Sequence, residues 1–198
     1  MLDLTRYKAI VFDMDGTLID SMGAHVKAWQ QTCEYFGYEF DPEYMHSLGG
    51  VPTAQIAVLL NNKFALTHDP EVVAAKKREC WTALADDPSV IQQTCEVLDF
   101  YQGKLKMGIG TGSERKHALE LLAKTGLDQK ISTLVTASDV TNGKPHPETF
   151  LRVAELLGAT PSECVVFEDT EIGRQAAEAA NMDCILVKNG IIQANTNP

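Results

Sequence analysis

The chain shows two successive patterns of apolar and polar positions. The apolar run at residues 9–12 has the length and β-branched content of a strand buried on both faces. Residues 22–36 then place apolar side chains on one helix face, and further helical patterns begin at Thr53 and at Asp69. Few strand signals occur between residues 22 and 87, so this section is predicted to be helical.

The second pattern begins at Lys104, where short apolar runs alternate with helical segments. It follows a predicted helix over 89–101, which the polar joint Asp86-Asp87-Pro88 separates from the helical section. This alternation predicts parallel β-α units with right-handed crossovers. The predicted strands cover residues 106–110, 134–137, 164–167 and 184–187, and helices are predicted to end at Gly126, at Gly158 and near residue 180.

Composition places the chain among ordinary globular proteins, with 198 residues, 44% hydrophobic and 22% charged. Neither a run of about 18 apolar residues nor a secretory signal pattern occurs, so we expect a cytoplasmic protein without a membrane partner. We also expect a monomer. The net charge of −10 opposes binding to nucleic acid or anionic membranes, but not to a small phosphate ester. Five widely spaced cysteines without a Cys-x-x-Cys indicate neither disulfides nor a zinc site.

Two carboxylates, Asp13 and Asp15, come directly after the first predicted strand, and Gly16 with Thr17 permits a tight turn there. Like charges held side by side need a cation, and Mg²⁺ prefers such oxygen ligands. One carboxylate could then act as a nucleophile while its neighbour transfers a proton. An Asp-Gly turn with Asp13 as a helix cap is the alternative interpretation.

Distinctive polar groups also follow the later predicted strands. Thr111 follows the second, Lys144 lies in a loop after the third, and Glu168 with Asp169 ends the fourth. Carboxyl ends of parallel strands meet at one sheet edge, so these groups can converge on Asp13. Each alone has an ordinary structural interpretation, as a turn residue, a solvated lysine or a helix cap.

The string Asp13-Met14-Asp15-Gly16-Thr17, with the later groups in this order, resembles the four motifs of the haloacid dehalogenase superfamily of phosphohydrolases. The resemblance implies an α/β fold with a Rossmann-like parallel sheet core and a small all-helical cap inserted after the first strand. The catalytic core would consist of residues 1–18 and 88–198, and the cap domain of residues 19–87. Linkers near residues 18–21 and 85–89 would be the hinges.

The same resemblance implies a role for each matching residue. Asp13 would be the nucleophile that becomes an aspartyl-phosphate, and Asp15 the general acid and base. Thr111, Gly112 and Lys144 would bind the phosphoryl group. The resemblance also implies a Mg²⁺ ion held by Asp13, Asp15 through its main-chain carbonyl, Glu168 and Asp169.

Within the superfamily, the chain is most similar to the β-phosphoglucomutase-like group. Five residues match substrate contacts of the cap in that group, namely His25, Trp29, Gly50, Val51 and Arg78. Trp29 could instead be plain cap core, His25 a surface or hinge residue, and Arg78 part of a solvated face with Lys76 and Lys77. Arg115 is a further candidate substrate contact or a solvated helix residue.

One departure from the group bears on the reaction. The mutases carry an arginine two residues after the Gly-Val pair to hold a second phosphate, whereas this chain has Pro52-Thr53. We therefore predict a phosphatase that acts on a small phosphorylated sugar such as fructose 1-phosphate, with a phosphosugar mutase as the alternative. A phosphorylation-receiver domain fits the motif order poorly, and a non-catalytic protein on this fold would be expected to have lost Asp13 or Asp15.

Overall fold

The main sheet organises the computed structural model, which describes residues 2–84 and 88–193. Its strand order is β5-β4-β1-β6-β7-β8, parallel except for the last pair. The strands are β1 Ala9–Phe12, β4 Lys106–Gly110, β5 Thr133–Val135, β6 Cys164–Glu168, β7 Asp183–Lys188 and β8 Ile191–Ile192. A separate antiparallel ribbon pairs β2 Ile19–Asp20 with β3 Ser89–Val90.

Helices cover both faces of the sheet and form the section between β2 and β3. They are α1 Met22–Phe36, α2 Pro42–Ser47, α3 Thr53–Phe64, α4 Pro70–Ala83, α5 Gln92–Tyr101, α6 Arg115–Thr125, α7 Glu148–Leu157 and α8 Glu171–Ala179. None of the helices in the described ranges is long and apolar enough to span a bilayer. The α/β class and the parallel sheet predicted from the sequence are confirmed.

The central strand β1 is buried on both faces, as its unbroken apolar run predicts. Ile10 and Phe12 point into a cluster with side chains of α5 and α6, while Ala9 and Val11 point into a second cluster with α7 and α8. This alternation follows from the two-residue period of a strand. It fixes β1 rigidly, and with it the position of the residues that follow Phe12.

Strand register brings the candidate residues to one edge. Phe12 lies beside Ile109 of β4 and Phe167 of β6, and its ring stacks on that of Phe167 at 5.2 Å between centroids. The residues after these three strands therefore leave the sheet at the same level.

The helical insert, which we define as residues 22–84, has a core of its own. Trp29, Cys33, Ile56, Leu60 and Val73 pack together there, separately from the two clusters of the sheet. Two of its helices begin at local capping signals. The Asp41 and Asp69 side chains accept backbone N–H groups at the starts of α2 and α4. The insert thus buries a hydrophobic cluster large enough to hold its helices together.

Several local features differ from the predictions. The helix predicted from Ser89 begins only at Gln92, because Ser89 and Val90 pair with Asp20 and Ile19 as the ribbon. Helix α2 was not predicted, and the predicted strand over 134–137 runs over 133–135. Residues 85–87, which contain much of the second predicted hinge and the predicted cap boundary, lie outside the described ranges.

Candidate active site

An acidic cluster with one lysine occupies the carboxyl edge of the sheet. Lys144 is fully buried, and its Nζ donates to Asp13 Oδ1 at 2.6 Å and to Glu168 Oε2 at 2.8 Å. Glu168 Oε1 accepts the N–H and hydroxyl of Thr170 at 3.0 and 2.7 Å. Asp13 is 3% exposed and Glu168 is fully buried, whereas Asp169 is partly exposed.

The charges of this cluster do not balance. Burial, followed by the charge of Glu168, raises the pKa of Asp13 even though Lys144 opposes the shift. Burial and the same glutamate raise the pKa of Asp169. Burial alone would lower the pKa of Lys144, but Asp13 and Glu168 raise it above its usual range, so the lysine remains charged. One cation among three carboxylates leaves the cluster short of positive charge.

The cluster fits a hard divalent cation. Ligand oxygens of Asp13, Glu168 and Asp169 all lie within 4.8 Å of one another. Glycines leave room for two of these carboxylates, because a Cβ on Gly16 would lie 2.2 Å from Asp169 Oδ2 and one on Gly173 would lie 2.0 Å from Glu168 Oε2. Carboxylate oxygens are the ligands that Mg²⁺ prefers, so these residues could hold that ion.

Asp15 lies in a different environment from Asp13. Its Oδ1 accepts the hydroxyl of Ser21 at 2.6 Å and lies 3.2 Å from His25 Nε2, and its Oδ2 accepts the hydroxyl of Ser113 at 2.7 Å. Thr111 Oγ1 is 3.5 Å from the same Oδ2. One oxygen is thus held by Ser21 and by His25 of the insert, and the other by Ser113 of the core.

The environment of Asp15 favours its ionised form. Burial alone would raise the pKa of this carboxyl, but the charge and hydrogen bond of His25, followed by the charge of His117 and the hydrogen bond of Ser21, hold it well below its usual range. The neighbouring carboxyl groups therefore differ in protonation, because the pKa of Asp13 is raised without a bound cation and that of Asp15 is lowered.

A buried lysine of the insert supports His25. Lys77 Nζ lies 2.7 Å from His25 Nδ1, and burial lowers the pKa of Lys77 to about 8 despite the opposing charge of Asp15. Burial, then the charge of Lys77, lowers the pKa of His25. The ring of Trp81 packs against the His25 ring at 4.2 Å between centroids.

The loop after β4 contacts the helical insert. Thr111 is buried, and its Oγ1 accepts the N–H of Ser113 at 3.0 Å. A Cβ on Gly112 would lie 2.1 Å from the carbonyl oxygen of Gly50, so the two backbones touch. Gly50 itself has φ of 83°, a conformation that favours glycine.

Most of the predicted site residues line one cavity between the sheet edge and the insert. The lining includes Asp13, Asp15, Thr111, Gly112, His25, Trp29, Gly50 and Val51. Lys144 lies behind this wall in contact with Asp13, and Asp169 lines a neighbouring cavity with Gly16. Trp29 is 4% exposed and belongs to the insert core, while its lining of the cavity leaves the predicted substrate contact a prediction.

Two predicted basic contacts lie elsewhere. Arg78 points to the rim, where its side chain is 43% exposed and pairs with Glu114 at 2.5 Å. Its neighbour Lys77 takes the place in the cavity wall, because the packing of α4 on α1 turns that position inward. Arg115 pairs with Asp139 at 2.7 Å, away from the cavity.

Three polar residues of the site were not predicted from the sequence. Ser21 directly precedes α1 and Ser113 directly follows the Thr111-Gly112 pair, so their nearness to predicted residues was the available signal. No signal in the sequence indicated Lys77. Lys76, Lys77 and Arg78 are all basic and differ only in the direction in which each leaves the axis of α4.

The chain is similar to several known proteins. A family model described as haloacid dehalogenase-like hydrolase matches residues 10–187. The chain is 38% identical to the fructose-1-phosphate phosphatase YqaB of Escherichia coli, covering 92% of this chain and 97% of that protein. It is 31% identical to a phosphorylated carbohydrates phosphatase of Thermotoga maritima, covering 90% and 83%.

A solved structure has the same architecture. The β-phosphoglucomutase of Clostridium difficile superposes with a TM-score of 0.77 at 26% identity, covering 91% of this chain and 84% of that one. The relatives therefore include both hydrolases and a mutase.

Proposed function

Because the chain belongs to the haloacid dehalogenase-like hydrolase family, we propose that it is a magnesium-dependent phosphatase of a small phosphorylated sugar related to fructose 1-phosphate. One observation carries the proposal. Asp13 is paired with buried Lys144 at 2.6 Å, while Asp15 is held in a separate hydrogen-bond network facing the same cavity. The two carboxylates can therefore take different roles.

In the first half-reaction, Asp13 attacks the phosphorus of the ester and becomes an aspartyl-phosphate. Lys144 holds the attacking carboxylate and reduces its repulsion from the substrate anion. Thr111 and the backbone of Gly112 bind phosphoryl oxygens at the end of β4. Mg²⁺ held by Asp13, Glu168 and Asp169, with the Asp15 carbonyl, would neutralise charge on the transferring group.

Asp15 transfers protons in both halves of the reaction. It gives a proton to the leaving alcohol and then, as a carboxylate, takes one from the water that hydrolyses the aspartyl-phosphate. Hydrogen bonds from Ser21, Ser113 and His25 keep it ionised here, which is the form that the second half requires. The negative charge of a bound phosphate ester would raise its pKa and favour the acid form for the first half.

The helical insert would act as the cap that selects the sugar. It contributes His25, Trp29, Val51 and Lys77 to the cavity, while the sheet edge contributes the reacting groups. Residues 19–87 would form this cap domain and residues 1–18 and 88–198 the catalytic core. Thr53, which stands where mutases have arginine, also lines the cavity and cannot pair with a second phosphate as a guanidinium does.

A panel of phosphorylated sugars tests the proposal. Phosphate release should be fastest with a ketose or aldose phosphate, require Mg²⁺ and cease on chelation. A generic aryl ester should be hydrolysed more slowly, since it cannot contact the insert. Absence of Mg²⁺-dependent release with every sugar phosphate would contradict the proposed function.

The mutase alternative has its own test. The protein is incubated with β-glucose 1-phosphate, a trace of the bisphosphate and Mg²⁺, and both free phosphate and glucose 6-phosphate are followed. We expect free phosphate to dominate. In Thr53→Arg, the added guanidinium should shift the ratio toward glucose 6-phosphate. Rapid isomerisation by the unmodified protein would favour the mutase.

A further inference from the structure

A histidine that the proposed reaction does not use lies beside Asp15. His117, on α6, has a buried Nε2 without a hydrogen-bond partner among residues 2–84 and 88–193. Its ring meets that of His25 edge-on, with 5.6 Å between centroids and an interplanar angle of 84°. An unpaired buried nitrogen is costly, so a ligand that uses its lone pair would stabilise this arrangement.

Three donor atoms of different residues converge at this point. One atom each of Asp15, His25 and His117 lies within 4.8 Å of the others. Bonds of about 2.0–2.1 Å to a zinc ion would need side-chain shifts of less than about 1 Å. Trp81 packs against both rings, at 4.2 Å from the His25 centroid and 4.7 Å from the His117 centroid, and so holds both imidazoles in place.

We propose that Asp15, His25 and His117 form a second metal site, which takes a borderline divalent cation such as Zn²⁺ and inhibits the enzyme. Its two nitrogens and one oxygen suit zinc, whereas the three carboxylates of Asp13, Glu168 and Asp169 suit magnesium. The different donor atoms of the two sites would therefore select different cations.

The surroundings permit this binding. A cavity lined by Lys77, Trp81, Ser113, His117 and Glu120 adjoins the catalytic cavity and leads to the site between α4 and α6. Lys77 contacts Nδ1 of His25 and leaves Nε2 to the cation. His25 would give up its Nε2 proton to solvent, and Lys77 would pass one proton to Nδ1 and then accept a hydrogen bond from it as a neutral amine, so binding releases one proton in total.

Inhibition rests on the proposed function, because it follows from the role of Asp15. A cation on the Asp15 carboxylate would lower its affinity for the proton that it gives to the leaving alcohol and takes from water. It also joins the insert to the core, because His25 belongs to α1 and His117 to α6. Binding itself is independent of any activity.

The first test measures zinc binding by calorimetry with Mg²⁺ at saturation. We expect one zinc ion per chain, with affinity at least tenfold weaker in His117→Phe, which keeps a ring against Trp81 but lacks the nitrogen. His146→Phe, at an exposed histidine beside Glu148, should bind like the unmodified protein. Equal affinity in His117→Phe, or complete displacement of zinc by Mg²⁺, would overturn the site.

A second measurement needs no substitution. In the ¹⁵N spectrum of the imidazoles, zinc added in the presence of Mg²⁺ should shift the nitrogens of His25 and His117 and leave those of His46, His68 and His146 in place. Shifts only at the latter three would overturn the site.

The proposed inhibition has its own test. Zinc should slow phosphate release less in His117→Phe than in the unmodified protein, with each rate compared to the zinc-free rate of the same protein. Equal inhibition in both proteins would overturn the proposed inhibition alone.

Discussion

Lys77 Nζ lies 2.7 Å from His25 Nδ1, and the other nitrogen of that ring lies 3.2 Å from Asp15. A lysine of α4 thereby orients an imidazole of α1 onto a carboxylate of the core. Lys77 is 5% exposed, so its charge has little water around it. The insert consequently contributes to the environment of Asp15 as well as to the wall of the cavity.

Replacing Lys77 with methionine should stabilise the fold and weaken the enzyme. Burial lowers the pKa of Lys77 from 10.5 to about 8, so between those values the unfolded chain binds more protons. The cost of burying this lysine is absent above pH 10.5, grows as the pH falls to 8 and is constant below. At pH 7, Lys77→Met should raise the free energy of unfolding by about 1–3 kcal/mol, and the gain should shrink as the pH rises.

Urea denaturation at pH 7 and pH 10, with phosphate release at pH 7, checks this prediction. Release should fall at least tenfold because His25 loses the group that orients it. Lys76→Met is the matched control, since Lys76 pairs with Glu79 on the outer face of the same helix. A destabilised Lys77→Met at pH 7 would show that the lysine is a net stabilising residue.

Lys144 should contribute both to stability and to the demand for a cation. Lys144→Met leaves Asp13 and Glu168 buried without their partner, which costs about 3–5 kcal/mol. The variant should therefore melt at a clearly lower temperature, and Mg²⁺ should raise its melting temperature more than that of the unmodified protein. Differential scanning calorimetry with and without Mg²⁺ measures both effects.

Lys106→Met provides the control for Lys144, because Lys106 is exposed and its Nζ donates to the carbonyls of Leu157 and Gly158. Its melting temperature should change little, with or without Mg²⁺. If Mg²⁺ stabilised Lys144→Met less than the unmodified protein, the acidic cluster would not be the cation site.

The sequence predicted the sheet edge well because its signals are local. An apolar run buried on both faces, followed by acidic residues and a tight turn, locates Asp13 without knowledge of the rest of the chain. Parallel strands then bring Thr111, Lys144 and Glu168 to the same edge by topology alone. Each of these predictions needed only the position of the residue at the end of a predicted strand or in the loop that follows it.

The insert was harder to predict because its contacts depend on how helices pack. Helical phase along α4 did not distinguish Lys77 from Arg78, and only the packing of α4 on α1 decides which side chain meets His25. Similarly, His117 follows Thr111 on the chain but reaches His25 through tertiary contact. Strands of two residues, such as β2 and β3, are too short to show a period.

Contact between the loops of Gly112 and Gly50 should be needed for full activity. A methyl group on Gly112 would lie 2.1 Å from the Gly50 carbonyl oxygen, so Gly112→Ala should push the insert away from the phosphoryl site. Displacements of this size cost roughly 10–100-fold in rate, and we expect kcat/KM for the best sugar phosphate to fall by that factor.

Gly23→Ala is the control for Gly112→Ala, because a Cβ there meets nothing within 4 Å. In helix α1 it should stabilise the protein by about 0.5–1 kcal/mol and leave kcat/KM unchanged. Circular dichroism of both variants verifies the fold. Unchanged kcat/KM in Gly112→Ala would show that the two loops need not touch during turnover.

The division of roles between Asp13 and Asp15 is tested most directly by trapping the phosphorylated enzyme. Asp15→Asn lacks the base for the second half-reaction, but p-nitrophenolate leaves without a proton. With p-nitrophenyl phosphate and Mg²⁺, an acid-quenched sample should therefore carry a phosphoryl group on the peptide containing Asp13, detected by mass spectrometry. The double variant Asp13→Asn/Asp15→Asn should carry none. A phosphoryl adduct that persists in the double variant, or none in Asp15→Asn while the unmodified protein turns over, would contradict the account.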